Sequence, residues 1–160
     1  MKTLFALLLL SLVPLLGFAV GTGASGSGKT ESVGMVDTMT ADDHYNKGLA
    51  LSDGGKYSDA LPEFQRAVAL RADFAEAYNM IGFTYRKLGK LNLSLRNYEN
   101  ALKIRPDFPQ AYEYLGETYL AADDLVHAMK DYLYLKDGGK PQAQELWEKI
   151  VAYVAVKARA

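Results

Sequence analysis

One feature constrains this chain more than any other: it repeats itself every 34 residues. Gly48, Gly82 and Gly116 share that spacing, as do Leu51, Tyr85 and Tyr119; Ala60, Ser94 and Ala128; and Phe64, Tyr98 and Tyr132. Ala67, Ala101 and Leu135 keep the same register, and Asp73-Phe74 recurs as Asp107-Phe108. A fixed period of this length means one supersecondary unit used repeatedly, each copy burying the apolar face of the next. The units run 41–74, 75–108 and 109–142 without gap or insertion.

Within each unit the apolar spacing is helical. Tyr78, Ile81, Gly82 and Tyr85 fall at i, i+3, i+4 and i+7, and Leu95, Tyr98 and Leu102 continue on a second helix. Turn-forming residues separate the two: Asp53-Gly54-Gly55-Lys56, Leu88-Gly89-Lys90 and Ala122-Asp123-Asp124. Thr40 with Asp43 forms a capping-box-like start. Pro106 and Pro109 break the chain between the second and third units. A glycine inside a helix costs roughly 0.5–1 kcal/mol relative to alanine, so its recurrence in register implies a close helix–helix approach that outweighs the cost. Pro141 is placed to open a last helix within 143–160, where Leu146, Ile150, Tyr153 and Val154 form an apolar stripe beside Trp147. Glu145, Glu148 and Lys149 take its polar positions, which suits a capping helix.

Residues 41–142 thereby resemble the tetratricopeptide-repeat family. The family's small residue in the first helix matches Gly48, Gly82 and Gly116, and its second-helix alanines match Ala60, Ser94 and Ala128, then Ala67, Ala101 and Leu135. Its closing proline is matched by Pro106 alone, with Ala72 and Lys140 in the other two units. The resemblance implies an all-α right-handed solenoid of three helix-turn-helix repeats plus a capping helix. It also implies a concave groove lined by the first helices, where Asp42, Tyr45, Leu49, Glu76, Asn79, Met80, Phe83, Arg86, Gln110, Glu113, Tyr114 and Glu117 line or border the surface. Tyr45, Leu49, Asn79, Phe83, Arg86, Tyr114 and Glu117 are its candidate partner-binding residues. Chaperone-binding members grip a terminal carboxylate with basic and amide side chains at positions that here hold Tyr45, Leu49, Met80, Gln110 and Tyr114. None is basic, so that clamp is not expected.

The first 40 residues read differently. Lys2 precedes an apolar run from Leu4 to Leu16, and Gly17 with Ala19, or Ala19 with Gly21, supplies the small residues of a cleavage site. Residues 1–19 are therefore expected to be a signal peptide and the protein to be exported, periplasmic or secreted. An uncleaved leader would instead anchor it to the membrane. Residues 20–40 are rich in Gly, Ser and Thr and are expected to be a flexible linker. Residues 23–30, GASGSGKT, match the phosphate-loop pattern letter for letter. That loop needs a buried strand before it and a helix after it inside a parallel sheet, and neither flank here supplies them. Nucleotide binding is not expected.

Composition narrows the function further. Lys plus Arg number 18 and Asp plus Glu 19, giving a net charge of −1, which leaves no electrostatic footprint for nucleic acid. No cysteine is present, which removes thiolate metal sites and cysteine nucleophiles. His44 and His127 lie in different units without metal-ligand spacing, and His44 falls at a core position. Asp42-Asp43 and Asp123-Asp124 sit at helix starts, where acids serve as caps. No serine has a nucleophile-elbow context. No enzyme, cofactor or metal is expected. The expected role is an interaction module of the cell envelope or secreted space, holding a peptide or helical segment of another protein. A self-associating structural role, with the chain as a homo-oligomer, and a chaperone-like accessory role in envelope protein biogenesis are the alternatives.

Overall fold

The structure, a computed structural model, describes residues 37–159. The expected leader, most of the linker and the phosphate-loop match lie outside the described residues. Among the described residues there are seven helices: α1 (Ala41–Asp53), α2 (Tyr57–Leu70), α3 (Ala75–Lys87), α4 (Leu91–Ile104), α5 (Pro109–Ala121), α6 (Leu125–Asp137) and α7 (Gln142–Lys157). Helices α1 and α2, α3 and α4, and α5 and α6 form antiparallel pairs, each joined by a short turn. The first helices of successive pairs touch, α1 with α3 and α3 with α5, whereas α2 and α4, and α4 and α6, do not. A row of α1, α3 and α5 therefore forms the inner side of a curved stack.

The pairs close as the repeat requires. A Cβ built on Gly48 would stand 2.6 Å from Phe64 Cε1, and one on Gly82 would stand 2.8 Å from the Tyr98 ring. Absence of that atom lets an aromatic ring of the second helix lie against the first, and both rings are completely buried. The third pair departs from this pattern. The space over Gly116 is filled by Leu146 of α7, whose Cδ2 would lie 2.6 Å from a Cβ there. Tyr132, in register with Phe64 and Tyr98, is only half-buried, packing against the edge of the core and on Trp147 at 5.0 Å. Leu146, Ile150 and Ala143 join Ala128 and Leu135 in one core cluster.

The joints between pairs repeat as well. Phe74 and Phe108 are buried, each beneath a guanidinium: Arg71 lies 3.5 Å over the Phe74 ring and Arg105 lies 4.5 Å over Phe108. Arg71 also pairs with Asp42 at 2.5 Å and Arg105 with Glu76, so each arginine ties the end of one pair to the start of its first helix.

Acids at the helix starts behave in two ways. Thr40 and Asp43 form a reciprocal capping box, and Asp124 caps α6 by accepting from His127 N–H at 3.1 Å. Asp123 does not cap. It adopts φ 61° at a turn where the corresponding turns of the other pairs use Gly55 and Gly89. Its carboxylate accepts from Tyr153 Oη at 3.1 Å and pairs with Lys157 at 2.7 Å, tying α7 to the third pair.

Among the described residues no helix is long and apolar enough to cross a membrane, and no group of His, Asp and Glu is placed to hold a metal ion. His44 is buried, its Nδ1 2.7 Å from Glu63 and its Nε2 3.1 Å from Asp37. Burial opposes ionisation of Glu63, but its contacts with His44, Lys47 and Arg66 outweigh that and hold its pKa below the ordinary value. The expected core histidine is therefore the hub of a buried polar cluster.

Candidate functional site

The inner row is where a partner could meet side chains from several helices at once. Its centre is aromatic. Phe83 of α3 packs against Tyr114 of α5 at 5.5 Å and against Tyr57 of α2 at 6.1 Å, and Tyr114 lies 6.2 Å from the buried Tyr98. Phe83, Tyr114 and Tyr57 are each partly exposed. Gln110 donates to the Tyr114 hydroxyl at 3.2 Å, which fixes the direction of that ring.

Charge is laid directly beside these rings. The Arg86 guanidinium lies 5.4 Å from the Phe83 centroid and 5.7 Å from that of Tyr114, while Lys87 approaches Phe83 at 5.2 Å. Arg86 pairs with Glu117 at 2.7 Å, the two side chains being 16% and 15% exposed, and Lys149 of α7 reaches the same carboxylate at 3.9 Å. An ion pair this sheltered from water is held in one geometry far better than a surface pair. It keeps the arginine parked over two aromatic faces.

A second carboxylate sits deeper. Glu113 is buried, and that burial, with Glu145 of α7 facing it and Glu117 nearby, pushes its pKa up to about 7. Beside Glu117, an open hollow of about 280 Å³ between α5 and α7 is lined by Leu120, Ala121, Lys149 and Tyr153.

The expected groove residues separate accordingly. Phe83, Arg86, Tyr114 and Glu117 come together in one cluster. Tyr45 and Leu49 do not belong to it. Tyr45 lies 4.8 Å from Phe74 and 5.8 Å from Phe64, and both Tyr45 and Leu49 pack against the core of Ala60, Phe64 and Ile81, as does Met80. Asn79 corrects the expectation outright. It is 1% exposed and so offers nothing to a partner, because α3 is the central helix, in contact with α1, α2, α4 and α5. Tyr57 belongs to the cluster although the repeat register does not place it there. It opens α2, and only the fold of the turn at 54–56 brings it beside Phe83.

Comparison with known proteins agrees with this geometry. A family profile described as TPR repeat matches residues 48–89 and 82–122. No curated protein matches the sequence. Among solved structures, one of MamA is 26% identical over 78% of this chain, with TM-score 0.56, and another is 29% identical over 73%, with TM-score 0.58. The chain spans 64% and 60% of the lengths of those two MamA chains. Yersinia enterocolitica SycD, a type III secretion chaperone solved with a peptide of the translocator YopD, is 20% identical with TM-score 0.63, covering 74% of this chain and 92% of its own. The first TPR of Spaghetti (RPAP3), bound to the HSP90 peptide SRMEEVD, is 22% identical with TM-score 0.65, covering 75% of this chain and 97% of its own. The in-register glycines, the paired helices and the matched repeats agree, and residues 48–122 carry the repeats of the tetratricopeptide-repeat family.

Proposed function

We propose that this chain is a binding module of the cell envelope or secreted space, which holds a peptide or helical segment of another protein on the inner row of helices. The observation that carries the reading is the partly exposed pair Phe83 and Tyr114, flanked by Arg86 and its sheltered partner Glu117. Aromatic anchors beside a fixed arginine are the residue types that dominate binding energy at protein interfaces. SycD and the RPAP3 domain, which share the fold, were each solved holding a peptide. The export setting is supported by Lys2 and the apolar run of Leu4 to Leu16. The aromatic centre would supply affinity, and the alternation of Arg86, Glu117 and Lys149 would fix the direction of the bound segment.

Crosslinking in cells tests this directly. A photoreactive residue is placed at Phe83 and, as a control, at the outward-facing Val126 of α6, which is 78% exposed. Adducts to a defined partner from position 83 and none from position 126 are expected. Equal adducts from both positions, or adducts from 126 alone, would remove the inner row from the function.

A further inference from the structure

The helix that closes the stack leaves part of its own apolar surface uncovered. Trp147, Val151 and Val154 are 39%, 48% and 45% exposed, although the apolar stripe of the sequence groups Val154 with the buried Leu146 and Ile150. With Ala158 these residues keep a 4-3-4 spacing, which is the seam of a coiled coil rather than the broader face a helix presents to a globular core. Ala158 keeps helical geometry at φ −71° and ψ −12°, so the seam runs to the end of α7. Trp147 is held in place by its packing on Tyr132 at 5.0 Å. No described helix covers this ridge.

We infer that a second copy of this chain docks on α7, the two helices pairing antiparallel along Trp147, Val151, Val154 and Ala158. The charges beside the seam select this occupant. Glu148 lies on one flank in the first half of the helix, and Arg159 lies on the same flank just beyond its end. Antiparallel pairing brings that flank of one copy against the same flank of the other, setting Glu148 of each near Arg159 of its partner, twice over, whereas parallel pairing puts the two flanks on opposite sides of the seam and leaves Glu148 without a basic partner. Gln144 donates to Glu148 at 2.9 Å, which turns that carboxylate along the same flank, and Glu148 makes no ion pair with any described residue. A ridge whose charge pattern complements its own reversal fits a two-fold contact and closes at two copies. Four seam side chains cover well under the ~800 Å² per partner of a standard interface, so the dimer is weak and depends on concentration.

Sedimentation velocity on the full 160-residue chain, over roughly a hundredfold range of concentration, reads the association constant. A monomer giving way to a dimer is expected. Val151→Asp should weaken that dimer at least ~10-fold. Val156→Asp, at a residue 67% exposed on α7 but off the seam, should leave it unchanged. Glu148→Arg and Arg159→Glu should each weaken the dimer and together restore it, which a folding defect could not mimic. A chain that stays monomeric throughout, an open-ended series of larger species, or equal effects of the two valine substitutions would overturn the inference. Phe83→Ala leaves this contact intact, so its failure and that of the inner-row reading are separable.

Discussion

Alanine at Gly82 puts the close approach of paired helices to a quantitative test. The added Cβ would stand 2.8 Å from both Cδ1 and Cε1 of Tyr98 and 3.0 Å from Cγ, well inside the ~3.5–4.0 Å at which carbon atoms attract. The ring cannot swing aside, because Tyr98 is completely buried and backed by Tyr114 at 6.2 Å. Overpacking a well-filled core in this way costs about 1–3 kcal/mol. Alanine recovers about 0.5–1 kcal/mol of helix propensity. The difference centres on a net loss of about 1 kcal/mol and reaches at most about 2.5 kcal/mol, read from urea unfolding followed by circular dichroism. Gly116→Ala is the companion, since its Cβ would meet the rotatable methyls of Leu146, and a smaller loss is expected. A Gly82→Ala protein as stable as its parent, or more stable, would show that the ring yields and does not fix this glycine.

Phe83→Ala should weaken partner binding by about 1–3 kcal/mol with the helical signal intact, whereas Tyr85→Ala, which loses core packing and the hydroxyl that accepts from Gln65, should lower the unfolding midpoint instead. The reverse pattern would show that the faces of α3 are misassigned. Burial also pushes Asp131 up to about 7, with one carboxylate oxygen unpartnered, and Glu113 to about 7. Both acids hold protons more tightly folded than unfolded, so their contribution to stability is fullest near pH 4 and is lost as pH rises towards 7. Asp131→Asn should flatten that profile and stabilise the protein at pH 8, and an unchanged urea midpoint across the window would contradict it. Glu63→Leu strands the buried Nδ1 of His44 and should cost about 1–3 kcal/mol by the same unfolding assay.

The number and order of the helices were legible because the repeat is strict: helix starts at 41, 75 and 109 keep the spacing of the glycines. Phe83, Arg86, Tyr114 and Glu117 were among the seven residues that the family resemblance assigns to the inner side, and register carries Tyr45, Leu49 and Asn79 to that side equally. Register does not say how closely neighbouring helices shut around a given side chain, and that decided Asn79. Nor could it show Tyr57, whose place depends on the backbone of a turn, or the raised pKa of Glu113, which faces another acid, Glu145, from a different helix. Glu145 and Lys149 are exposed, as their polar positions imply, and also reach acids of α5, whereas Val154, read as part of the apolar stripe, faces outward. Leu146 fills the space over Gly116, and Val154, eight residues on, falls about 80° around the helix from it.

That same leucine changes how the protein should come apart. In the first two pairs the ring that locks the first helix belongs to the second helix of the same pair. In the third, the lock is supplied from outside, and Asp123 adds a tether to Tyr153 and Lys157. The amides of α5, α6 and α7 should therefore exchange with deuterium together, as one cooperative block, instead of α7 fraying ahead of the rest. The unit of folding at this end is then not the 34-residue period but the three helices that share one leucine.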